Sequence, residues 1–278
     1  MSRPFSAWER SIAIRYLFTK RRNGGVALIS MISFAAIALA VSALIITMSI
    51  MNGFRTELSS KILGFNGHAY ITMPPMTPEA ESEMLARIRR VPHVVQAFPV
   101  VESEAMVQGP ATASGAVVRG LDPTDLGRLP IIAGNITNGT MKGFGDGESG
   151  GDRVLVGAKL ADTLGVSSGD PISIISPNGA ATIMGATPTR KTYNIDGLFS
   201  VGMSEYDQTF IYMPLAQAQL LFGRDAAFDF IEINFDDPDR AHDLRNALEV
   251  AAGRGALVTD WTQKNRAYFT ALAVERNV

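Results

Sequence analysis

Several short patterns in this chain hold residue types that can do chemistry, and each needs a particular backbone around it. Gly165-Val166-Ser167-Ser168-Gly169 matches Gly-x-Ser-x-Gly. In a hydrolase that serine sits on a sharp turn from strand to helix and attacks an acyl carbon. Here the residues read helix, turn, strand, so a plain turn into a strand at Ile172 is expected, with a hydrolase using Ser167 as the enzymatic alternative. Gly145-x-Gly147-x-x-Gly150 has the spacing of a dinucleotide fingerprint, yet it lies in a Gly-rich stretch with no strand before it. His68, His93 and His242 are far apart, none has a ligand partner three or four residues away, and there is no cysteine, which argues against zinc. Nothing reads Gly-x-x-x-x-Gly-Lys, so no phosphate loop for ATP is expected. Asp236, Asp237 and Asp239 could hold a cation, but Asp237-Pro238-Asp239 suits the N-terminal cap of the following helix better. Asn135-Ile136-Thr137 and Asn138-Gly139-Thr140 are formal glycosylation sequons, a pattern short enough to recur by chance. No catalytic residue and no metal ligand is assigned.

The loop between Ser176 and Thr192 is of another kind. It reads SPNGAATIMGATPTRK between two expected strands. Its tip carries Ile183 and Met184 beside Gly185 and Pro188, and its base carries Arg190 and Lys191. Apolar side chains on a protruding loop are costly unless a partner covers them, and methionine suits an adaptable contact. The alternative is a hairpin whose Ile183 and Met184 fold back onto the core.

What positions these residues starts with a run free of charge. From Asn23 to Phe54 the chain has no ionisable side chain, and its apolar centre is Val26 to Met51. Those 26 residues make roughly 39 Å of helix, more than a bilayer core of roughly 30 Å needs. In lipid the backbone must satisfy its own hydrogen bonds, so the run must be helical. Six basic residues (Arg3, Arg10, Arg15, Lys20, Arg21, Arg22) precede it against one acid, Glu9. That bias puts the N-terminus in the cytoplasm and the rest outside. The run is too long for the apolar region of a cleaved signal peptide. Phe5, Trp8, Ile12 and Tyr16 recur at helical spacing among the cations, which suits a helix in the cytoplasmic interface. Residues 1–22 carry a net +5, and since the whole chain carries −2 the remainder carries −7. A mildly acidic bulk argues against nucleic acid as partner.

The outer part mixes strands and helices without strict alternation, which indicates α+β. Strands are expected at His68–Thr72, Val94–Met106, Ala116–Arg119, Arg153–Val156, Ile172–Ser176, Tyr193–Phe199, Thr209–Met213, Phe230–Phe235 and Leu257–Thr259. Helices are expected over Glu79–Arg90 with Thr77 as cap, Lys159–Leu164, Leu215–Phe222, Asp239–Ala252 and from Thr262 onward. Gly134 to Asp152 reads as a long mobile loop. The boundaries drawn are 1–25 for the interfacial helix, 26–53 for the membrane helix, and 54–265 for the outer domain with an inserted lobe at about 122–224. Residues 266–278 would begin a helix leading to a second membrane span.

IAIRYLFTKRR, ISMISFAAIALAVSALIITMSIMNGF, LGFNGH, YNIDGLFSVGMSEYD, YMPLAQAQLLF and DWTQKNRAYFTALAVERN together resemble the LolC/LolE permeases, the membrane subunits of the bacterial lipoprotein-releasing ABC transporter. The resemblance covers essentially the whole chain. It implies a permease with four membrane helices and a MacB-like periplasmic core domain, with an inserted lobe, between the first two. It implies an inner-membrane location and a second permease subunit, identical or paralogous. It implies a pair of ATPase subunits holding ATP and Mg, so no cofactor in this chain, and lipoprotein cargo delivered to the periplasmic chaperone LolA. In such permeases a protruding hairpin recruits LolA above a supporting basic pad. Met184, Gly185 and Pro188, with Ile183 beside them, fall on that hairpin, and Arg190 and Lys191 fall on the pad. Ile183 stands where the family pattern has Pro, and Ala186 where it has a base. Acyl chains of the cargo would enter along the first helix near Ile46, Met48 and Met51, or those side chains would meet lipid and neighbouring helices. A MacB-type efflux permease and an FtsX-like signalling scaffold are the alternative functions.

Overall fold

A computed structural model describes residues 7–18, 24–177, 181–182, 185–186, 188–224 and 227–264. It divides into two compact units, Met1–Ser60 and Lys61–Val278.

The first unit contains α1 (Ala7–Phe18) and most of α2 (Gly24–Phe65). Within α2, Leu28–Gly53 is long and apolar enough to cross a membrane. Its large side chains are exposed on every face, Phe34 and Leu39 among them. A helix apolar all round has no polar face to give to water, so it needs lipid or protein around it. Thr47 returns its hydroxyl to the Ala43 carbonyl at 2.9 Å, which satisfies that donor within the helix itself. Phe5 and the Lys20-Arg21-Arg22 cluster lie outside the described residues, while Trp8 and Ile12 on α1 are exposed.

The second unit is built on ten strands. After the last turn of α2 come β1 (Ala69–Thr72) and α3 (Pro78–Ile88). Thr77 caps α3, its hydroxyl accepting from the Ala80 N–H at 3.4 Å, and Pro78 occupies a first-turn position where no N–H is needed. The 15-residue strand β2 (Val94–Gln108) and β3 (Ala113–Leu121) follow. Then come α4 (Pro123–Gly127), α5 (Pro130–Ala133), β4 (Ile136–Gly139), β5 (Arg153–Gly157), α6 (Ala158–Leu164) and β6 (Pro171–Ser176). The short strands β7 (Ala181–Thr182) and β8 (Gly185–Ala186) precede β9 (Thr189–Phe199), α7 (Ser204–Asp207), β10 (Phe210–Pro214) and α8 (Leu215–Phe222). The unit closes with β11 (Phe230–Phe235), α9 (Arg245–Ala252), β12 (Leu257–Asp260) and α10 (Trp261–Lys264). Residues 265–278 lie outside the described residues.

Two layers share β2. Its first half, Val94–Val100, pairs with β11 in the antiparallel order β12-β1-β11-β2, and α3 and α9 cover one face. Ile71, Met84, Ile88, Ile233, Leu248 and Val258 form that core. The second half, Val101–Gln108, pairs with β3, and its last three residues pair with β6 on the other edge. The ladders β2-β3-β10-β5-β9-β6 then return to β2, so six strands close a ring. Closure leaves these strands no free edge along the paired stretch. Alternate residues point inward, and Val107, Val118, Val154, Ile174, Ile195 and Ile211 fill the ring beneath α6 and α8. Gly120 has no side chain because Ala218 of α8 occupies that place.

The stretch Gly134–Asp152, expected as a structureless loop, instead carries β4 and a single 3₁₀ turn at Glu148–Gly150. Its order is imposed from afar. The buried Asp196 carboxylate on β9 accepts from the Gly143 N–H at 2.9 Å and pairs with Arg153 at 2.8 Å. The helix expected over Asp239–Ala252 is broken into a 3₁₀ turn, Pro238–Ala241, and α9. Asp237 caps that turn through the Asp239 N–H at 3.1 Å, which accounts for it as a cap.

A candidate docking platform at the root of the β6–β9 loop

β6 and β9 run antiparallel to their last pair, Ser176 with Thr189. Beyond it β7 and β8 pair with each other alone, Ala181 opposite Ala186 and Thr182 opposite Gly185. They form a two-stranded extension outside the ten-stranded sheet. Gly185 stands in β8, and Pro188 is exposed at the return. Ile183 and Met184 lie outside the described residues.

The two basic residues at the root part company. Strand side chains alternate, so Arg190 and Lys191 face opposite sides of β9. Arg190 is exposed and its guanidinium donates to the Ser173 hydroxyl at 3.2 Å. Lys191 faces the mouth of the ring, where its ammonium donates to the Gln217 amide oxygen at 2.5 Å and lies 5.2 Å from the Tyr193 ring centre. The resemblance implies one pad holding both; the pleat of β9 turns them to opposite faces.

Ile46, Met48 and Met51 are exposed on α2. At about 100° per residue, Met48 and Met51 lie about 60° apart, with Ile46 about 140° or more from both. Met48 and Met51 therefore share a face that Ile46 does not. Ser167 follows α6, whose end is closed by Gly165 in the left-handed region (φ 71°), and leads into β6. Its N–H donates to the Asp170 carboxylate at 2.8 Å, so the segment is a turn between helix and strand without the strand-to-helix bend of a nucleophile.

Sequence reasoning missed a buried charged group. Arg119 of β3 is 2% exposed. Its Nε lies 3.0 Å from Glu102 of β2, and its Nη2 is bonded to the buried Glu232 of β11. Burial alone would lower the Arg119 guanidinium, but Glu232, Tyr212 and Glu102 carry it well above its usual value. Burial, with Glu232 nearby, pushes the Tyr70 hydroxyl up, and burial likewise raises Tyr212. Lys264 lies over the Tyr70 ring at 3.9 Å, and desolvation there lowers its ammonium. The available signal was Arg119 standing in the apolar run Ala116-Val117-Val118-Arg119-Gly120-Leu121, where a charge demands a buried partner.

A family model described as the MacB-like periplasmic core domain matches residues 30–251. The lipoprotein-releasing system transmembrane protein LolC of Xylella fastidiosa strain Temecula1 is 31% identical over 274 residues, covering 99% of this chain and 65% of that protein. LolC of Neisseria meningitidis serogroup B is 30% identical over 271 residues, 97% of this chain and 65% of that protein. LolE of Haemophilus influenzae is 30% identical over 238 residues, 84% of this chain and 56% of that protein. The chain thus spans about two thirds or less of the length of these relatives, 65% for both LolC proteins. A candidate membrane helix leading into an α+β domain of this family agrees with their description as transmembrane proteins. The chain carries a MacB-like periplasmic core domain and belongs to the LolC/LolE family.

Proposed function

We propose that the chain is part of a permease subunit of an ABC transporter that takes lipoproteins from the bacterial inner membrane and passes them to the periplasmic chaperone LolA. The observation that carries this reading is the likeness to LolC along 99% of the chain, from the apolar helix through the segment that holds the β6–β9 loop. In this reading residues 26–53 span the inner membrane and 54–265 lie in the periplasm, with 122–224 as the inserted lobe. A second permease subunit and a pair of ATPase subunits complete the transporter, and ATP and Mg act in those ATPase subunits. Acyl chains enter beside the apolar first helix. The exposed Met48 and Met51 face gives them a flexible, polarisable wall. The extension built from β7 and β8 meets LolA, with Ile183 and Met184 as its apolar tip and Arg190 and Lys191 as charged supports.

A photocrosslinking amino acid at Met184 tests this. In membranes containing the chain, a crosslink to added LolA is expected, and deleting 176–191 should abolish LolA binding. A crosslink to another protein, or LolA binding that survives the deletion, refutes the docking role and turns the reading toward a MacB-type or FtsX-like permease.

A further inference from the structure

Gln217 is a polar residue of α8 that is only 3% exposed. A buried amide is costly unless both its ends are bonded. Its oxygen accepts from the Lys191 ammonium at 2.5 Å. Its nitrogen donates to the carbonyls of Ser149 at 3.0 Å and Glu148 at 3.4 Å. One side chain therefore ties three segments distant in sequence: the base of the β6–β9 loop, helix α8 and the Glu148–Gly150 turn. That turn is itself unusual. Ser149 holds φ 52°, a left-handed conformation that non-glycine residues rarely adopt and that the surroundings must enforce. With it, the Glu148 and Ser149 carbonyls both reach Gln217.

Lys191 gains order from this. Its ammonium is held between the Gln217 oxygen and the Tyr193 ring. An ammonium has three donors, and Gln217 takes one. The others remain for an acceptor such as a carboxylate on a partner. A lysine already fixed in place loses less rotamer freedom on binding than a free one.

We infer that Gln217 is a positioning residue of the docking platform: anchored on the carbonyls of the Glu148–Gly150 turn, it holds Lys191 at the ring mouth. The inference rests on the chaperone-docking reading above, and it extends the platform to Gln217 of α8.

The test measures LolA binding to the membrane-reconstituted chain and to Lys191→Ala, Gln217→Met and the double variant. Lys191→Ala and Gln217→Met should each weaken binding about fivefold, the cost of ordering one long side chain. The double variant should bind no worse than Lys191→Ala alone, because Gln217 acts through Lys191. Gln217→Glu keeps the acceptor for Lys191 but loses the donor to the Ser149 and Glu148 carbonyls, so it should bind more weakly than the parent chain and more tightly than Gln217→Met. If Gln217→Met weakens binding further in the Lys191→Ala background, it acts through general loosening of the fold and the inference fails. Unchanged binding in Gln217→Met, or loss in Gln217→Glu equal to that in Gln217→Met, also overturns it. If neither Lys191→Ala nor deletion of 176–191 changes LolA binding, the docking reading falls and takes the inference with it. That pattern differs from a failure of Gln217 alone.

Discussion

Replacing Glu232 by glutamine removes one charge from the most buried ion pair among the described residues while keeping its shape. Arg119 and Glu232 have side chains 2% exposed each, and Glu102, the second partner of Arg119, is 28% exposed. Breaking a buried pair from one side costs about 3–5 kcal/mol, because it leaves a charge without compensation. Here Glu102 stays and the new amide oxygen can still accept from the guanidinium. The loss should fall at the low end, about 3 kcal/mol. For a unit the size of Lys61–Val278, that is a fall in melting temperature of about 6–12 °C. Trp261 gives the readout. It is 7% exposed and its indole N–H donates to the Pro238 carbonyl at 3.1 Å. Trp8, the only other tryptophan, is 62% exposed and can be removed as Trp8→Phe. Fluorescence-monitored unfolding in a Trp8→Phe background therefore follows the second unit alone. The double variant Arg119→Met with Glu232→Leu should recover most of the loss, since apolar replacements of a buried pair are often neutral. A Glu232→Gln variant melting within about 2 °C of its parent would refute the reasoning, as would a double variant no more stable than the single.

Stability should fall with acid through His68. Burial lowers its imidazole below the ordinary 6.5, and its Nδ1 accepts from the Phe235 N–H at 2.9 Å, which a protonated ring cannot do. The unfolded chain then takes the proton first, so this contribution is complete above 6.5 and is lost as pH falls through the lower folded value. Melting curves between about pH 7 and 5 should show the decline, and His68→Gln should flatten it; an equal slope in the variant would exclude His68. Ser167→Ala should leave LolA binding and melting temperature unchanged and should abolish no activity of the chain, as expected of a side chain in an exposed turn. Loss of an esterase or amidase activity in that variant would revive the hydrolase reading.

Local rules served best where the chain makes its structure from neighbours. The helix from Val26 onward and its stop near Gly64 follow from charge exclusion and the glycines beyond it, and α2 ends at Phe65. Thr77 announces α3 because a threonine before Pro-Glu caps a helix from its own side chain. The stretch Gly134–Asp152 was opaque for the opposite reason. It has few apolar residues to mark a strand, and β4 exists only because β9 offers it an edge. At the platform, composition found the loop and its two cations, but not Gln217. A glutamine on a helix reads as a surface residue until packing shows both ends of its amide bonded.

The charged cluster has a cause in the topology that also explains its absence from any sequence pattern. β2 changes partners along its length: Val100 is the last residue paired with β11 on that ladder, and Val101 opens the ladder with β3. Where one strand leaves and another joins, backbone donors lose their regular acceptors and must find others. The Glu102 N–H is met by the Asp229 carboxylate at 2.9 Å, and the Asp229 N–H in turn donates to the Val100 carbonyl at 2.9 Å. Side chains do the same across the gap. Glu102 on β2, Arg119 on β3 and Glu232 on β11 are one residue from each of the three strands that meet there. Arg119 is hydrogen-bonded to Glu232 and ion-paired with Glu102, so its charge links residues of all three strands at that point. The helix-backed sheet contains β1 and β12, and the ring contains the strands that lead to the β7–β8 extension. The cluster thus fastens the part of the domain that follows α2 to the part that bears the candidate docking loop. Loosening it with Glu232→Gln should therefore lower the stability of both layers in a single transition. A Glu232→Gln variant in which only one layer loses stability would show that the cluster does not couple them.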